Sequence, residues 1–297
     1  IFLQLLLLAV LPVDALTHSP GIAPTLPAKN LAPGIWQASG KPTPPQLGAG
    51  RIMIHPDAEN ELLYSRVADM SADFTGKRLA EWYNFNLLDG IPKVTGPAPL
   101  QPAYFGALEK YIYYTSGSHC GNGLVDFLSV EWISSPDNPT KWQRRTNFLP
   151  VITGGQRPIF QSDEKTLESI TAENFEPREI AYLPEAEREL VTATNQTECK
   201  ISNVIFDLNK VQADVSASAA GLVVISQSYY HLWCADVDGK SVQLFRANLA
   251  FQAIEVPAGT HHIRLIYRDR YFEIGAVVSV ISLATCGLIL VRRKKVL

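Results

Sequence analysis

The sequence lacks the short motifs that mark many enzyme active sites. It has no glycine-rich phosphate-binding loop, no dinucleotide-binding fingerprint and no serine–histidine–aspartate pattern of a hydrolase. Its four cysteines include no C-x-x-C pair, which excludes the usual zinc and redox motifs. The residues themselves therefore predict no metal site and no cofactor.

Charge is also scarce, and it is unevenly distributed. Asp, Glu, Lys and Arg make up 19% of the 297 residues against 46% hydrophobic residues, which excludes a disordered tail or a coiled coil. The net charge is −3, but four positive charges lie among the last seven residues, so the rest of the chain carries −7. An acidic body argues against nucleic acid as a partner, because nucleic-acid binding requires basic surface.

One long hydrophobic run lies near the C-terminus. Residues 274–291 contain no charged side chain, and a helix of that length extends about 27 Å, close to the thickness of a bilayer core. Two aromatic residues, Tyr271 and Phe272, precede the run, and four basic residues follow it. We predict a transmembrane helix over residues 271–291 and, from the positive-inside rule, a cytoplasmic basic tail over residues 292–297. The bulk of the chain would then be extracytoplasmic.

The N-terminal residues are also apolar, and they allow two interpretations. Residues 1–16 begin with Ile1 instead of methionine and are hydrophobic up to Asp14. They fit either a partial membrane helix of a longer protein or a signal peptide that has lost its basic start. Both interpretations place the residues between the two apolar segments on the outer side of the membrane.

Two regions of different composition follow the N-terminal segment. Residues 20–45 hold seven of the twenty prolines and only two charges, so an extended linker is predicted over residues 17–48. Residues 49–190 mix strand and helix patterns and predict an α+β region. Within it, Thr166–Asn174 is typical of a helix with Ser162 or Asp163 near its start.

Residues 191–270 predict an antiparallel β-sandwich. Val211–Ala217 alternates apolar and polar side chains, and Asp238–Gly239 provides a hairpin turn in which glycine tolerates a positive φ. In the last strand, Ile263 and Leu265 share one face, while charged residues take the other. The expected fold is an α+β extracytoplasmic region with a C-terminal antiparallel β-sandwich, followed by one transmembrane α-helix.

Four short motifs stand out within the predicted sandwich: Tyr229-Tyr230, Asp238-Gly239, Arg246-Ala247-Asn248 and Pro257-Ala-Gly-Thr-His261. Together they resemble the C-terminal region of YfhO-type bacterial multi-pass membrane proteins. Upstream, Asn174-Phe-Glu-Pro-Arg178 is similar to the family's Phe-Asp-Pro-Arg, so the resemblance covers residues 50–291 and is strongest after residue 220. One departure is His231-Leu232, which stands where the family usually has Pro-Gly.

The resemblance implies the extracytoplasmic end of a protein with many membrane spans, and it favours a partial membrane helix at residues 1–16. Members of the family are regarded as glycosyltransferases that move a sugar from a lipid-phosphate carrier to a polymer of the cell envelope. Their acidic catalytic residue lies in an early outer loop that these residues do not include, so Asp14 is not expected to be catalytic. The resemblance therefore implies a non-catalytic segment that binds acceptor or carrier. Its partners would be membrane lipid, a lipid-phosphate-linked sugar and envelope polymer.

Five residues are candidates for ligand binding, and each also has a structural interpretation. Trp233, Asp236 and Asp238 could contact sugar, since an indole stacks on a pyranose ring and carboxylates accept hydroxyl hydrogens. The same residues also fit a buried strand tryptophan and two turn aspartates. Arg264 and Arg268 could hold a carrier phosphate, although both also fit the solvated face of a strand.

A rival function belongs to a different class of protein. With a signal peptide at its N-terminus, the chain would be a single-span surface protein with a carbohydrate- or protein-binding sandwich. Its mature N-terminus would then lie at Leu16–Ser19. An anchored hydrolase is a third alternative, but no catalytic constellation is visible in the sequence.

Overall fold

A computed structural model describes the chain over residues 8, 10–18, 27–65, 69–115 and 120–294. Its contacts divide the chain into two compact units. Unit 1 comprises Ile1–Pro44, Ile52–Pro97 and Trp132–Arg144. Unit 2 comprises Pro45–Arg51, Ala98–Glu131 and Arg145–Leu297.

The N-terminal segment is only partly described. Residues 10–18 form an exposed helix, α1, and residues 1–7, which include much of the predicted membrane helix or signal peptide, lie outside the described residues.

Unit 1 combines short helices with a three-stranded sheet in the order β1-β2-β3. The helices are α2 (Ile35–Ala38), α3 (Pro56–Leu63) and α4 (Met70–Leu79). The strands are β1 (Arg51–Met53), β2 (Val130–Ser135) and β3 (Asn138–Arg144), of which Arg51, Val130 and Glu131 are counted in unit 2. The carboxylate of Asp69 caps α4 by accepting hydrogen bonds from two first-turn amides, which is the usual way to satisfy a helix N-terminus.

Part of the predicted linker is folded into unit 1. Trp36 on α2 is fully buried, its ring lies 5.1 Å from the ring of Trp142, and its indole nitrogen donates to the carbonyl of Pro42. This differs from the extended linker predicted for residues 17–48, of which residues 19–26 lie outside the described residues. The physical reason is that one buried tryptophan removes enough apolar area from water to anchor a proline-rich segment.

Unit 2 begins with helices and a parallel strand pair. Its helices are α5 (Ala103–Tyr114), α6 (Asn122–Phe127) and α7 (Asp163–Thr171). The strands β5 (Arg157–Gln161) and β6 (Ile180–Pro184) pair in parallel, and α7 forms the crossover between them. The hydroxyl of Ser162 caps α7, so the helix begins where the sequence predicted, at Ser162 and Asp163.

The β-sandwich is the core of unit 2, and it confirms the predicted fold class. The five-stranded sheet has the order β11-β10-β14-β8-β7. It contains β7 (Cys199–Phe206), β8 (Lys210–Ala217), β10 (Trp233–Val237), β11 (Lys240–Val242) and β14 (Gly259–Tyr267). The four-stranded sheet, β12-β13-β9-β4, contains β4 (Ile152–Gly154), β9 (Gly221–Ser228), β12 (Phe245–Ala247) and β13 (Phe251–Val256).

Two details of the sandwich follow from local sequence. Asp238 and Gly239 have φ angles of 52° and 77°, which identifies the two-residue hairpin turn expected between β10 and β11. Strand β4 was not expected in the sandwich, because it lies in the region predicted as mixed α+β, yet it pairs with β9. The sandwich therefore includes residues upstream of the predicted boundary at residue 191.

A long helix follows the last strand. Helix α8 (Arg270–Lys294) has 25 residues, is exposed where its side chains are described, and begins three residues after β14 ends. In the part of the chain that the structure describes, α8 alone is long and apolar enough to cross a membrane, over Arg270–Leu288. This agrees with the predicted transmembrane helix over residues 271–291.

Candidate functional site

The exposed face of the five-stranded sheet brings together three of the predicted ligand-binding residues. Arg264 on β14 lies opposite Asp236 on β10, with 2.7 Å between Nε and Oδ2. In the adjoining turn, Asp238 lies 2.7 Å from Nδ1 of His261 and accepts a hydrogen bond from the backbone amide of His262. Asp236, Asp238, His262 and Arg264 form a group of acidic and basic residues across neighbouring strands, which we call the polar row. His261 contacts Asp238 from the side of β14 that also carries the core residue Ile263.

The polar row continues onto β8 through Asp214. Its carboxylate lies 2.8 Å from Nδ1 of His262 and accepts a 2.6 Å hydrogen bond from the side-chain amide of Asn203. The hydrogen bonds from Asn203 and then His262 hold the pKa of Asp214 below its usual value. The hydrogen bond with Asp238 raises the pKa of His261 and lowers that of the aspartate. These contacts favour ionised carboxylates whose oxygens are held in fixed positions and can accept hydrogen bonds from hydroxyl groups.

The other two predicted residues lie apart from the polar row. Trp233 faces the sandwich core, is 8% exposed and meets Tyr267 edge to face. Side chains alternate along a strand, so Trp233 and Asp236 on β10 point to opposite faces of the sheet. Arg268 follows β14 and forms two hydrogen bonds of 2.8 and 2.9 Å with Glu273 on α8.

A second polar cluster centres on Arg246. This residue belongs to the Arg-Ala-Asn motif, but it was not predicted as a ligand-binding residue. One of its guanidinium nitrogens lies 2.7 Å from a carboxylate oxygen of Asp163, and another donates to the carbonyl of Leu249. The guanidinium also lies 3.8 Å from the ring centre of Tyr104, within the range of a cation–π contact. Burial raises the pKa of the neighbouring Glu187. Spacing could not reveal this cluster, since its members are widely separated in sequence.

The rest of that motif has a structural role. The backbone amide of Asn248 donates to the carbonyl of Tyr182 at 2.7 Å. In return, the side-chain oxygen of Asn248 accepts a hydrogen bond of 2.9 Å from the backbone amide of Tyr182. Asn248 adopts a positive φ of 45°, which asparagine tolerates better than most residues. The Arg-Ala-Asn tripeptide therefore joins the parallel strand pair to the four-stranded sheet.

Unit 1 contains a buried charge network. Arg78 lies between two carboxylates, with Nη1 at 3.1 Å from Glu81 and Nη2 at 2.9 Å from Asp89, and all three side chains are fully buried. Lys41 donates to the carbonyl of Leu79 nearby. We call Lys41, Arg78, Glu81 and Asp89 the buried charge network.

Burial shifts the protonation equilibria in this network. Burial raises the pKa of Glu81 to about 7 and lowers that of Lys41 to about 8. Burial also disfavours the ionised form of Asp89. Hydrogen bonds from Arg78 and from the backbone amides of Gly34 and Trp36 outweigh this effect, so the pKa of Asp89 stays below its usual value. Because the side chains of the Arg78 pairs do not reach solvent, we assign the network to the stability of unit 1.

A pocket of about 390 Å³ opens beside β4 and β7, the edge strands of the two sheets. Ile152 and Ile201 give it apolar walls, and the exposed Arg178 and Lys200 add positive charge. No residue of the predicted site lines it. Among the described residues, no group of three or more His, Cys, Asp or Glu side chains could hold a metal ion.

Comparison with known proteins relates the sandwich to one family. Residues 180–279, from the start of β6 into α8, match the family described as "Bacterial membrane protein YfhO". A stretch of 123 residues, 41% of the chain, is 29% identical to the "Uncharacterized protein YfhO" of Bacillus subtilis (strain 168). The match spans 14% of the length of that protein, and no solved structure matches the chain significantly. These matches support YfhO-family membership for residues 180–279, which include most of the sandwich and the start of α8.

Proposed function

We propose that the chain is the C-terminal extracytoplasmic part of a YfhO-family membrane protein and binds the acceptor polymer or the lipid carrier of a glycosyl transfer. The transfer itself would be catalysed elsewhere in a longer protein. The match covers 14% of the Bacillus subtilis relative, so a protein of that length has room for a separate catalytic part. In this proposal the sandwich faces outward and residues 292–297 face the cytoplasm.

The polar row is the observation that carries the proposal. It lies on an exposed strand face, and its carboxylates are held by ion pairs, so little conformational entropy is lost when a hydroxyl-rich polymer binds. Only Nε of Arg264 bonds to Asp236, and the arginine side chain is 44% exposed, so its guanidinium remains accessible to a phosphate or carboxylate. A flat row of this kind suits an extended polymer better than a small molecule.

Replacing Arg264 with alanine is expected to weaken binding of an anionic envelope polysaccharide about tenfold, the loss that corresponds to one charged hydrogen bond. The measurement is biolayer interferometry with the whole chain in lipid nanodiscs and purified polysaccharide as the probe. Arg157→Ala is the matched control, because Arg157 is an exposed arginine on β5, outside the polar row. Equal affinity of the Arg264 variant and the unaltered chain would overturn the proposal, as would equal losses in both variants.

The orientation in the membrane has its own test. An epitope tag fused after Leu297 is expected to bind antibody only after cells are permeabilised, because the basic residues that follow the apolar run stay in the cytoplasm. A tag inserted at the exposed turn residue Gly239 should bind antibody on intact cells. Surface staining of the C-terminal tag on intact cells would show that the proposed orientation is wrong.

A further inference from the structure

The end of the sandwich that leads into α8 carries two exposed loop tips. Leu208 stands at the tip of the β7–β8 hairpin and is 90% exposed. Tyr230 and His231 form the tip of the β9–β10 connection, where Tyr230 is 39% exposed and its ring lies 4.3 Å from the ring of His231. Single exposed apolar residues are ordinary, but these two tips lie at the same end of the sandwich.

Hydrogen bonds fix both tips beside the end of β14. The backbone amide of Tyr267 donates to the carbonyl of Asn209 in the first loop, at 2.9 Å. The amide of Arg268 donates to the carbonyl of Leu232 in the second loop, at 3.0 Å. The rings of Tyr230 and Tyr267 are stacked, with 6.3 Å between their centres. The tips are therefore held next to the point where the chain enters α8.

Helix α8 adds two more exposed aromatic residues in its first turn. Tyr271 is 85% exposed and Phe272 is 74% exposed. Together with the loop tips they form a surface that we call the membrane-proximal patch: Leu208, Tyr230, Leu232, Tyr267, Tyr271 and Phe272. Tyrosine is enriched where a membrane meets water, since its ring is apolar and its hydroxyl remains hydrated.

We infer that the membrane-proximal patch rests in the interface of the lipid bilayer, with Leu208 inserted below the headgroups. The patch is continuous with α8, which is the candidate membrane span, so its lipid contacts extend those of the helix. Two loop tips and one helix give three points of attachment, which would fix the tilt of the sandwich on the bilayer. The inference rests on α8 crossing the membrane, but it does not depend on binding of polymer or carrier.

This arrangement predicts opposite environments at the two ends of the sandwich. Strand β14 spans nine residues, or about 26 Å, and its first residue pairs with the end of β8. Ala219, in the connection between β8 and β9, is exposed at that far end. Position 219 is thus a control for position 208, because both are exposed loop positions at opposite ends of the same sandwich.

The test places an environment-sensitive fluorescent amino acid at position 208 or 219 of the whole chain in nanodiscs. Lipids that carry a nitroxide near the headgroup serve as the quencher. Quenching by these lipids is expected to be at least threefold stronger at position 208 than at position 219. Equal, weak quenching at both positions would overturn the inference. Protection of position 208 from both the nitroxide lipids and iodide in solution would also overturn it, because another protein surface would then cover the patch.

A second variant separates insertion of the tip from mere proximity to lipid. With the probe at position 230, Leu208→Asp is expected to reduce quenching by at least half, because a carboxylate at the tip resists insertion. Leu208 is exposed, so this change should leave the sandwich folded, which circular dichroism of the variant checks. Unchanged quenching at position 230 would contradict a role for Leu208. Polysaccharide affinity should be the same in this variant, so a failure here is distinct from a failure of the proposed function.

Discussion

Replacing Arg78 with methionine is expected to destabilise unit 1 by about 3–5 kcal/mol at pH 7, since it leaves buried carboxylates without their counter-charge. Arg78 is fully buried between Glu81 and Asp89, and methionine fills much of the same volume without the charge. Urea unfolding in detergent, followed by tryptophan fluorescence, measures the effect. Four of the five tryptophans belong to unit 1, so the signal reports mainly on that unit.

The pH dependence distinguishes lost charge pairing from lost packing. The pKa of Glu81 is about 7 in the folded chain against an ordinary value of 4.5. A raised pKa means that the stabilisation from protonating Glu81 is complete below about pH 4.5 and is lost as the pH rises through about 7. Without Arg78 the pKa of Glu81 rises further, so the deficit of the Arg78 variant should shrink between pH 7 and pH 5. An equal deficit at both pH values would contradict this explanation.

A neighbouring ion pair supplies the control for the Arg78 variant. Lys77 lies 3.0 Å from Asp73 on the same helix, and both side chains are partly exposed. Because solvent screens this pair, Lys77→Met is expected to cost less than about 1 kcal/mol. A loss as large as that of the Arg78 variant would show that position in α4, and not burial of charge, determines the effect.

Replacing Phe251 with alanine is expected to destabilise unit 2 by about 3–5 kcal/mol, the usual cost of deleting a buried aromatic ring. Phe251 is 1% exposed and contacts Phe127 and Phe105 edge to face, with ring centres 4.9 and 6.2 Å apart. Its ring therefore links the sandwich to α5 and α6 of the same unit. The measurement is urea unfolding followed by ¹⁹F NMR of the chain labelled with fluorotryptophan, in which Trp233, the tryptophan of unit 2, gives its own signal.

Leu100→Ala is the matched control for the Phe251 variant. Leu100 belongs to unit 2 and is 93% exposed, so its truncation should change the free energy of unfolding by no more than about 0.5 kcal/mol. If Phe251→Ala were equally mild, the aromatic contacts would not hold the helices and the sandwich together.

The sequence predicted strands better where their faces differ in polarity. Val211–Ala217 alternates between apolar and polar side chains, and as β8 it buries one face in the sandwich core. By contrast, β4 has only three residues and no alternation long enough to identify, so its pairing with β9 could not be predicted. The sequence did not predict the burial of Trp36 in unit 1, for another reason. A high proportion of proline indicates an extended backbone, but it says nothing about burial of the residues between the prolines.

The candidate site likewise has features that the sequence predicts and others that it does not. Alternation along β10 already indicates that Trp233 and Asp236 take opposite faces, so the sequence alone contained the reason why their side chains do not lie together. The pairing of Asp236 with Arg264 depends on strand register, which is set by contacts between segments nearly thirty residues apart. The Arg246 cluster joins residues still farther apart, beyond the reach of any local motif.

By itself, the amino-acid sequence determined that the chain ends in an apolar helix of membrane length, that an antiparallel sandwich precedes it, and that the sandwich resembles the YfhO family. These features follow from hydrophobic periodicity and length, which are local properties of a chain. The tertiary structure alone decided the composition of the polar row and the buried charge network, and placed two loop tips beside the start of α8. Those arrangements depend on long-range packing and strand register, in which residues far apart in sequence become neighbours.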